Sequence, residues 1–242
     1  MRARRIDALL LSCEHGGNQI PDEFEQLFQS KAAQRALDSH RGHDPGALVV
    51  ATALKPLLDA PLFASCVSRL LVDLNRSAHH PKVFSEFSAG LGGAQRGELL
   101  ATYYEPHRAE LEQAIAQRSR SRQRTLHLAI HSFTPRLGGE TRTAELGLLY
   151  DPQRPPEREL CAHWKRELSA SQPSRRVRCN YPYRGNADGL TTALRKRFSA
   201  DEYLGIEVEL NQALAAQPQS DARALAQWLA NSLQSALAST TR

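Results

Sequence analysis

No stretch of roughly 18 apolar residues occurs, so the chain offers no transmembrane helix. Aromatic residues make up only 6% of it. Basic residues are scattered, apart from Arg118, Arg120, Arg122 and Arg124 and from Arg175, Arg176 and Arg178. A nucleic-acid surface gathers its charge on one face and interleaves aromatics, so no nucleic-acid partner is expected. Lysine is scarce, and arginine supplies most of the 31 basic residues set against 26 acidic ones. The formal charge of +5 then suits a solvated surface and small anionic substrates. The four cysteines (Cys13, Cys66, Cys161, Cys179) form no CxxC pair and are expected as reduced, mostly buried thiols of a cytoplasmic protein. There is no GxSxG elbow, phosphate loop or dinucleotide fingerprint. The glycine cluster GLGGAQRG at 90–97 has the wrong spacing and follows no clear strand. The start, MRARRIDALLLSCEHGG, opens like a secretory leader. Its apolar run is short and broken by Asp7, and no small-residue cleavage site precedes Glu14-His15, so it reads as a first strand.

What is present describes an ordinary globular chain. Of its 242 residues, 41% are hydrophobic and 24% charged, which excludes wholesale disorder. A chain of this size buries about 70% of its unfolded surface and needs no metal simply to fold. Any metal must therefore be justified by chemistry.

Apolar patterning predicts strands over Ile6–Ser12, Leu62–Cys66, Ser68–Asp73, Thr125–Ile130, Leu146–Tyr150, Arg176–Asn180 and Tyr203–Leu210. Helices are predicted over Asp22–Leu37, Pro45–Leu58, Leu99–Ala116, Pro156–Leu168 and Gln219–Ala238. The run RSRSRQR reads as an exposed loop. Strands and helices alternate, which implies an α/β layered domain with a mostly parallel sheet, expected as one domain over 1–242. In such sheets, sites form at the carboxyl ends of strands. Several reactive residues fall there.

Glu14-His15-Gly16-Gly17-Asn18 puts a histidine at a strand end, with glycines that let backbone approach a ligand. Asp44, before Pro45 and a helix, serves either as N-cap or as metal ligand; His40 and His43 read as surface residues. Arg69, Asp73, Asn75 and Arg76 end an apolar segment and suit an anion site of bidentate guanidinium forks. His131 follows a strand, while His127 lies inside it and reads as structural. Glu207 and Glu209 share one face of a strand, and a buried pair cannot easily ionise together, so one of them is suited to general-base work. Histidines and carboxylates around an open position make a catalytic zinc site.

The series CEHGGNQIP, HDPGA, SRLLVDLNRS, IHSFTP, NYPYRG…DGLT and IEVELNQAL resembles the N-formylglutamate amidohydrolase family over about residues 8–215. That family is similar to zinc carboxypeptidases and aspartoacylase-type deacylases. The resemblance implies a three-layer α/β/α fold with a mixed, mostly parallel central sheet, one Zn2+ per chain and hydrolysis of an amide. It implies His15 and His131 as metal ligands, Glu209 as general base with Glu207 able to share that role, and Arg69, Asn75 and Arg76 as groups that bind the substrate carboxylate and polarise its carbonyl. Asp73 would orient the arginines, and Arg184 is a further candidate donor. Where the carboxypeptidases have H-x-x-E, this chain has Asn18, an uncharged and poor zinc ligand. The third ligand is then expected from Asp44, with Glu14 as the alternative. The expected substrate is a small anionic N-acyl amino acid such as N-formylglutamate, taken by a monomer or homodimer that binds neither nucleic acid nor membrane. The alternative is a non-catalytic relative that binds anions without stoichiometric metal.

Overall fold

The computed structural model describes residues 5–216 and 219–240. Arg2 and Arg4, in the charged opening of the chain, lie outside them.

Six strands form the central sheet: β1 (Ala8–Cys13), β2 (Leu62–Ala64), β3 (Thr125–Phe133), β6 (Leu146–Leu149), β7 (Val177–Cys179) and β8 (Tyr203–Asn211), in the order β2-β1-β3-β8-β6-β7. Every neighbouring pair is parallel except β6 and β8. The sheet is thus mixed and mostly parallel. A small hairpin, β4 (Arg136–Leu137) and β5 (Glu140–Thr141), stands apart from it.

Alternation along the strands separates two faces. One carries Leu11, Leu128, Ile130, Ile206 and Val208, packed under α2 (Ala47–Leu57), α5 (Pro155–Ser171) and α8 (Gln219–Thr240). Trp164 of α5 is buried there and donates its indole N–H to Ser232 Oγ of α8 at 2.9 Å. The other face carries Leu10 and Tyr203 against Leu111 and Ile115 of α4 (Glu105–Arg120) and Leu190 and Leu194 of α6 (Leu190–Arg197). Helix, sheet and helix make three layers. Each large buried side chain contributes about 1.5–3 kcal/mol, far more than an exposed ion pair. No helix among the described residues is long and apolar enough to cross a membrane.

Several segments differ from the sequence expectation. Asp22–Leu37 is broken: a 3-10 turn covers Asp22–Phe28, and Ser30 Oγ accepts from the Ala33 N–H to start α1 (Lys31–Leu37) afresh. Ser68–Asp73 is no strand. Ser68 Oγ accepts from the Leu70 N–H in a tight turn, and Leu70, Leu71 and Val72 bury themselves in a separate core with Phe28 and Leu99. A short apolar run cannot by itself distinguish these cases. The helix expected at Leu99–Ala116 is longer. It opens as α3 (Gly93–Leu99), passes through a π turn at Leu100–Tyr104 and continues to Arg120, so Arg118 to Arg120 are helical and not loop. Pro106 has no N–H to donate back, and the helix widens just before it. α6 and the β4–β5 hairpin were not anticipated. Strand β3 runs on past Ile130, so His131 and Ser132 are its last turns of pleat and not residues beyond it.

His127 is structural, as expected. It hydrogen-bonds Ser12 Oγ at 2.7 Å and the Tyr203 hydroxyl at 2.8 Å, and burial holds its pKa down at about 4.

Candidate functional site

The carboxyl ends of β1, β3 and β8 open on a cavity of about 300 Å³. Sheet register decides what faces it. His131 pairs with Glu209 and Ala129 with Glu207 across β3 and β8. Glu207 and Glu209, two residues apart, therefore stand on the same face as His131.

The loop after β1 carries His15, and the Asp44 N–H donates to the His15 carbonyl at 2.9 Å. Ser132 Oγ donates to the Pro45 carbonyl at 2.8 Å, tying the same loop to the end of β3. Asp44 does not cap α2 with its side chain. That position falls to Gly46, at φ 82, where a Cβ would meet the Ala215 carbonyl at the end of α7 (Gln212–Ala215). The Asp44 carboxylate turns instead into the cavity. Its Oδ2 lies 2.9 Å from His131 Nδ1 and 3.5 Å from His15 Nδ1. Potential ligand atoms of His15, Asp44 and His131 lie within 4.8 Å of one another, and all three residues are buried.

These residues fit a divalent metal. The His15 Nδ1 is buried with no hydrogen-bond partner, an orphaned acceptor or donor that protein interiors rarely leave. Four carboxylates (Glu14, Asp44, Asp73, Glu209) are buried here, while Arg69 and Arg76 pair with two of them, Asp44 and Asp73. Counted with both histidines neutral, as metal ligation requires, this formal excess of negative charge is what a dication would balance. Two imidazole nitrogens and one carboxylate oxygen also leave a coordination position open.

The two histidines sit in opposite fields. Burial, helped by Arg69, lowers His15 to about 4. Burial would lower His131 as well, but the Glu14 carboxylate against its ring, then Glu209 and Glu207, hold it up at about 9. Glu209 is raised to about 7 by burial and by Glu207, and its Oε2 has no partner. Glu207 differs: half-buried, it accepts from the Thr191 hydroxyl at 2.6 Å.

A sequence profile for N-formylglutamate amidohydrolases matches residues 7–216. The chain belongs to the N-formylglutamate amidohydrolase family. It is thus an amidohydrolase, and a small-molecule substrate follows. Its structure is similar to that of a gene product of Agrobacterium tumefaciens, at 30% identity and a TM-score of 0.83, over 97% of this chain and 92% of that one. It shares its fold with an N-formylglutamate amidohydrolase from Ralstonia eutropha, at 18% identity and a TM-score of 0.67, over 97% of each chain. No curated relative matches.

In this member of the family, the remaining residues singled out from sequence take varied positions. Arg69 contacts the Asp44 carboxylate, and Arg76 Nε lies 3.1 Å from Asp73. Asp73 also accepts at 2.8 Å from His15 Nε2, so it braces a histidine as well as an arginine. Asn75 Oδ1 accepts from the Leu190 N–H at 2.8 Å, and its amide nitrogen stands 3.5 Å from His131. Arg184 is exposed on the cavity wall. Asn18 faces elsewhere and donates to the Leu37 carbonyl. Glu14 lies behind His131, at the ring edge away from Asp44. Gly16 and Gly17 serve the neighbouring chain and not a ligand: a Cβ on either would strike the Ser65 or Cys66 carbonyl. His40, expected on the surface, is exposed yet lines the cavity, as do Tyr183 and Asp188. His107 was missed altogether. It shares the buried stripe of α4 with Leu111 and Ile115, at a spacing of four, which a helical reading begun at Glu105 would have shown.

Proposed function

We propose that the chain is a zinc-dependent hydrolase of the amide bond in an N-acyl amino acid, N-formylglutamate or a close analogue. One observation carries this reading: the His15, Asp44 and His131 donors share one cavity with a buried carboxyl, Glu209, and with Arg69, Arg76 and Arg184. His15, Asp44 and His131 would hold one zinc ion, which when bound supplies a Lewis acid and brings the pKa of a water towards 7.

The protein's own groups do the rest. Arg184 and Arg76 grip the substrate carboxylate, and the Asn75 amide orients it. Glu209 accepts a proton from the attacking water as that oxygen bonds to the acyl carbon. Negative charge developing on the carbonyl oxygen is met by Arg69 or Arg76. Glu209 then delivers its proton to the amine nitrogen as the C–N bond breaks, releasing the free acid and the amino acid. Glu207, beside Glu209, shares the proton traffic.

The reading treats 1–242 as one catalytic domain, monomeric or homodimeric, working in the cytoplasm without nucleic acid; four free cysteines support that compartment. The test is metal analysis together with release of formate or acetate from a panel of N-acyl amino acids, with and without chelator. One zinc per chain and chelator-sensitive release of formate are expected. Undiminished turnover after complete metal removal refutes zinc dependence. A metal-free chain that binds the substrates without cleaving them would be a non-catalytic relative.

A further inference from the structure

Glu14 is fully buried, yet it belongs to none of the steps above. It follows β1, where Ser12 pairs with Ala129, so two residues on it stands beside His131. Its Oε2 lies 3.1 Å from His131 Nε2, and its Oε1 lies 3.5 Å from His107 Nε2. Both oxygens are buried without a hydrogen bond of standard geometry, so the two imidazole edges are their ion-pair neighbours. A carboxylate with no access to water costs several kcal/mol unless it is matched, and here the matching groups are two imidazoles. The opposite edge of the His131 ring, Nδ1, faces Asp44.

We infer that Glu14 and His107 are positioning residues, a buried chain that fixes the tautomer and tilt of His131 so that its Nδ1 lone pair faces the donor set. An ionised carboxylate only accepts, so Glu14 favours an N–H at Nε2; Nδ1, which meets Asp44 at 2.9 Å, is the nitrogen whose proton a metal would displace. His15 is built in the same way: Asp73 braces its Nε2 at 2.8 Å, and Arg76 braces Asp73 in turn. The two chains end differently. Arg76 reaches the cavity, where it also meets substrate; His107 is buried on α4. Histidine ligands are commonly held by such an outer carboxylate, and its loss typically weakens metal binding about 10- to 100-fold.

This inference rests on the metal reading above, and the experiment separates the two. Zinc affinity is measured on the full chain by competition with a chromophoric chelator, for wild type, Glu14→Gln and His107→Gln. The His131 tautomer is read in the zinc-loaded proteins from long-range 1H–15N correlations. Glu14→Gln is expected to bind zinc about 10- to 100-fold more weakly and to lose the pure Nε2–H tautomer. His107→Gln is expected to shift both in the same direction by less. Circular dichroism checks the fold; should Glu14→Gln fail to fold, His107→Gln carries the same test. A wild type that takes up no zinc overturns both readings. Zinc bound normally by wild type and equally well by the folded variants, or an Nδ1–H tautomer in the zinc-loaded wild type, overturns the positioning chain alone.

Discussion

Replacing Glu209 by Gln keeps the shape of the side chain and removes its charge. Shape matters here because Gly147 on β6 packs against it, so closely that a Cβ on Gly147 would lie 3.2 Å from the Glu209 Cβ. The lost charge has two opposite consequences. Without a base, turnover should fall about 10²- to 10⁴-fold, the usual contribution of general-base catalysis, while metal content stays at the wild-type level. Stability should move the other way. The Glu209 carboxyl is displaced from 4.5 to about 7 in the folded protein, burial being the larger cause and Glu207 the next. Between those values the folded state holds a proton that the unfolded state has released, so stability falls as pH rises through that window. Above pH 7 the ionised side chain costs up to about 3 kcal/mol. In metal-free protein at pH 8, Glu209→Gln should therefore melt higher, by roughly 6–12 °C for a chain of this size. At pH 4, where wild type is protonated, the two should converge. Formate-release kinetics and melting curves at both pH values decide the matter. Turnover within a few-fold of wild type would refute the base assignment; equal melting at pH 8 would refute the burial argument.

Other outcomes follow from the same geometry. Asp44→Ala should lower zinc stoichiometry sharply, as read by elemental analysis, and a full complement would move the third ligand elsewhere. His127 is held at about 4 by burial, below its unfolded value of 6.5, so stability is complete above 6.5 and is lost by about 3 kcal/mol as pH falls to 4. His127→Gln should flatten that acid slope in melting temperature without abolishing it, because His15 titrates in the same window; an unchanged slope counts against the assignment. Gly46→Ala places a Cβ 2.0 Å from the Ala215 carbonyl at a φ of 82, so it should cost more than about 1 kcal/mol in denaturant melts and weaken metal uptake through Asp44, two residues away.

Without a cation at His15, Asp44 and His131, the buried Glu209 carboxyl stays displaced to about 7 and the His15 Nδ1 has no hydrogen-bond partner. Metal binding and folding stability should therefore be linked, with the loaded protein melting higher.

The layered α/β class was legible from sequence because the buried strands are continuous apolar runs, β3 above all, and because a run buried on both faces has little other use. That His15, His131 and Glu209 would meet in one cavity was legible because chemistry-bearing residues sit where such strands end. The Ser68–Asp73 segment was not, since an apolar run records burial and not the pairing that makes a strand. Nor was the side to which Asp44 turns, because capping and cavity-facing aspartates look alike in one dimension. Only parallel register sets His131 beside Glu209 and brings Glu14 behind His131, 117 residues along the chain. Local sequence thus decided which residues can titrate and which elements carry them; the packing of distant strands decided which nitrogen of each ring faces the donor set, because hydrogen bonds across the sheet, and not proximity in the chain, set that geometry.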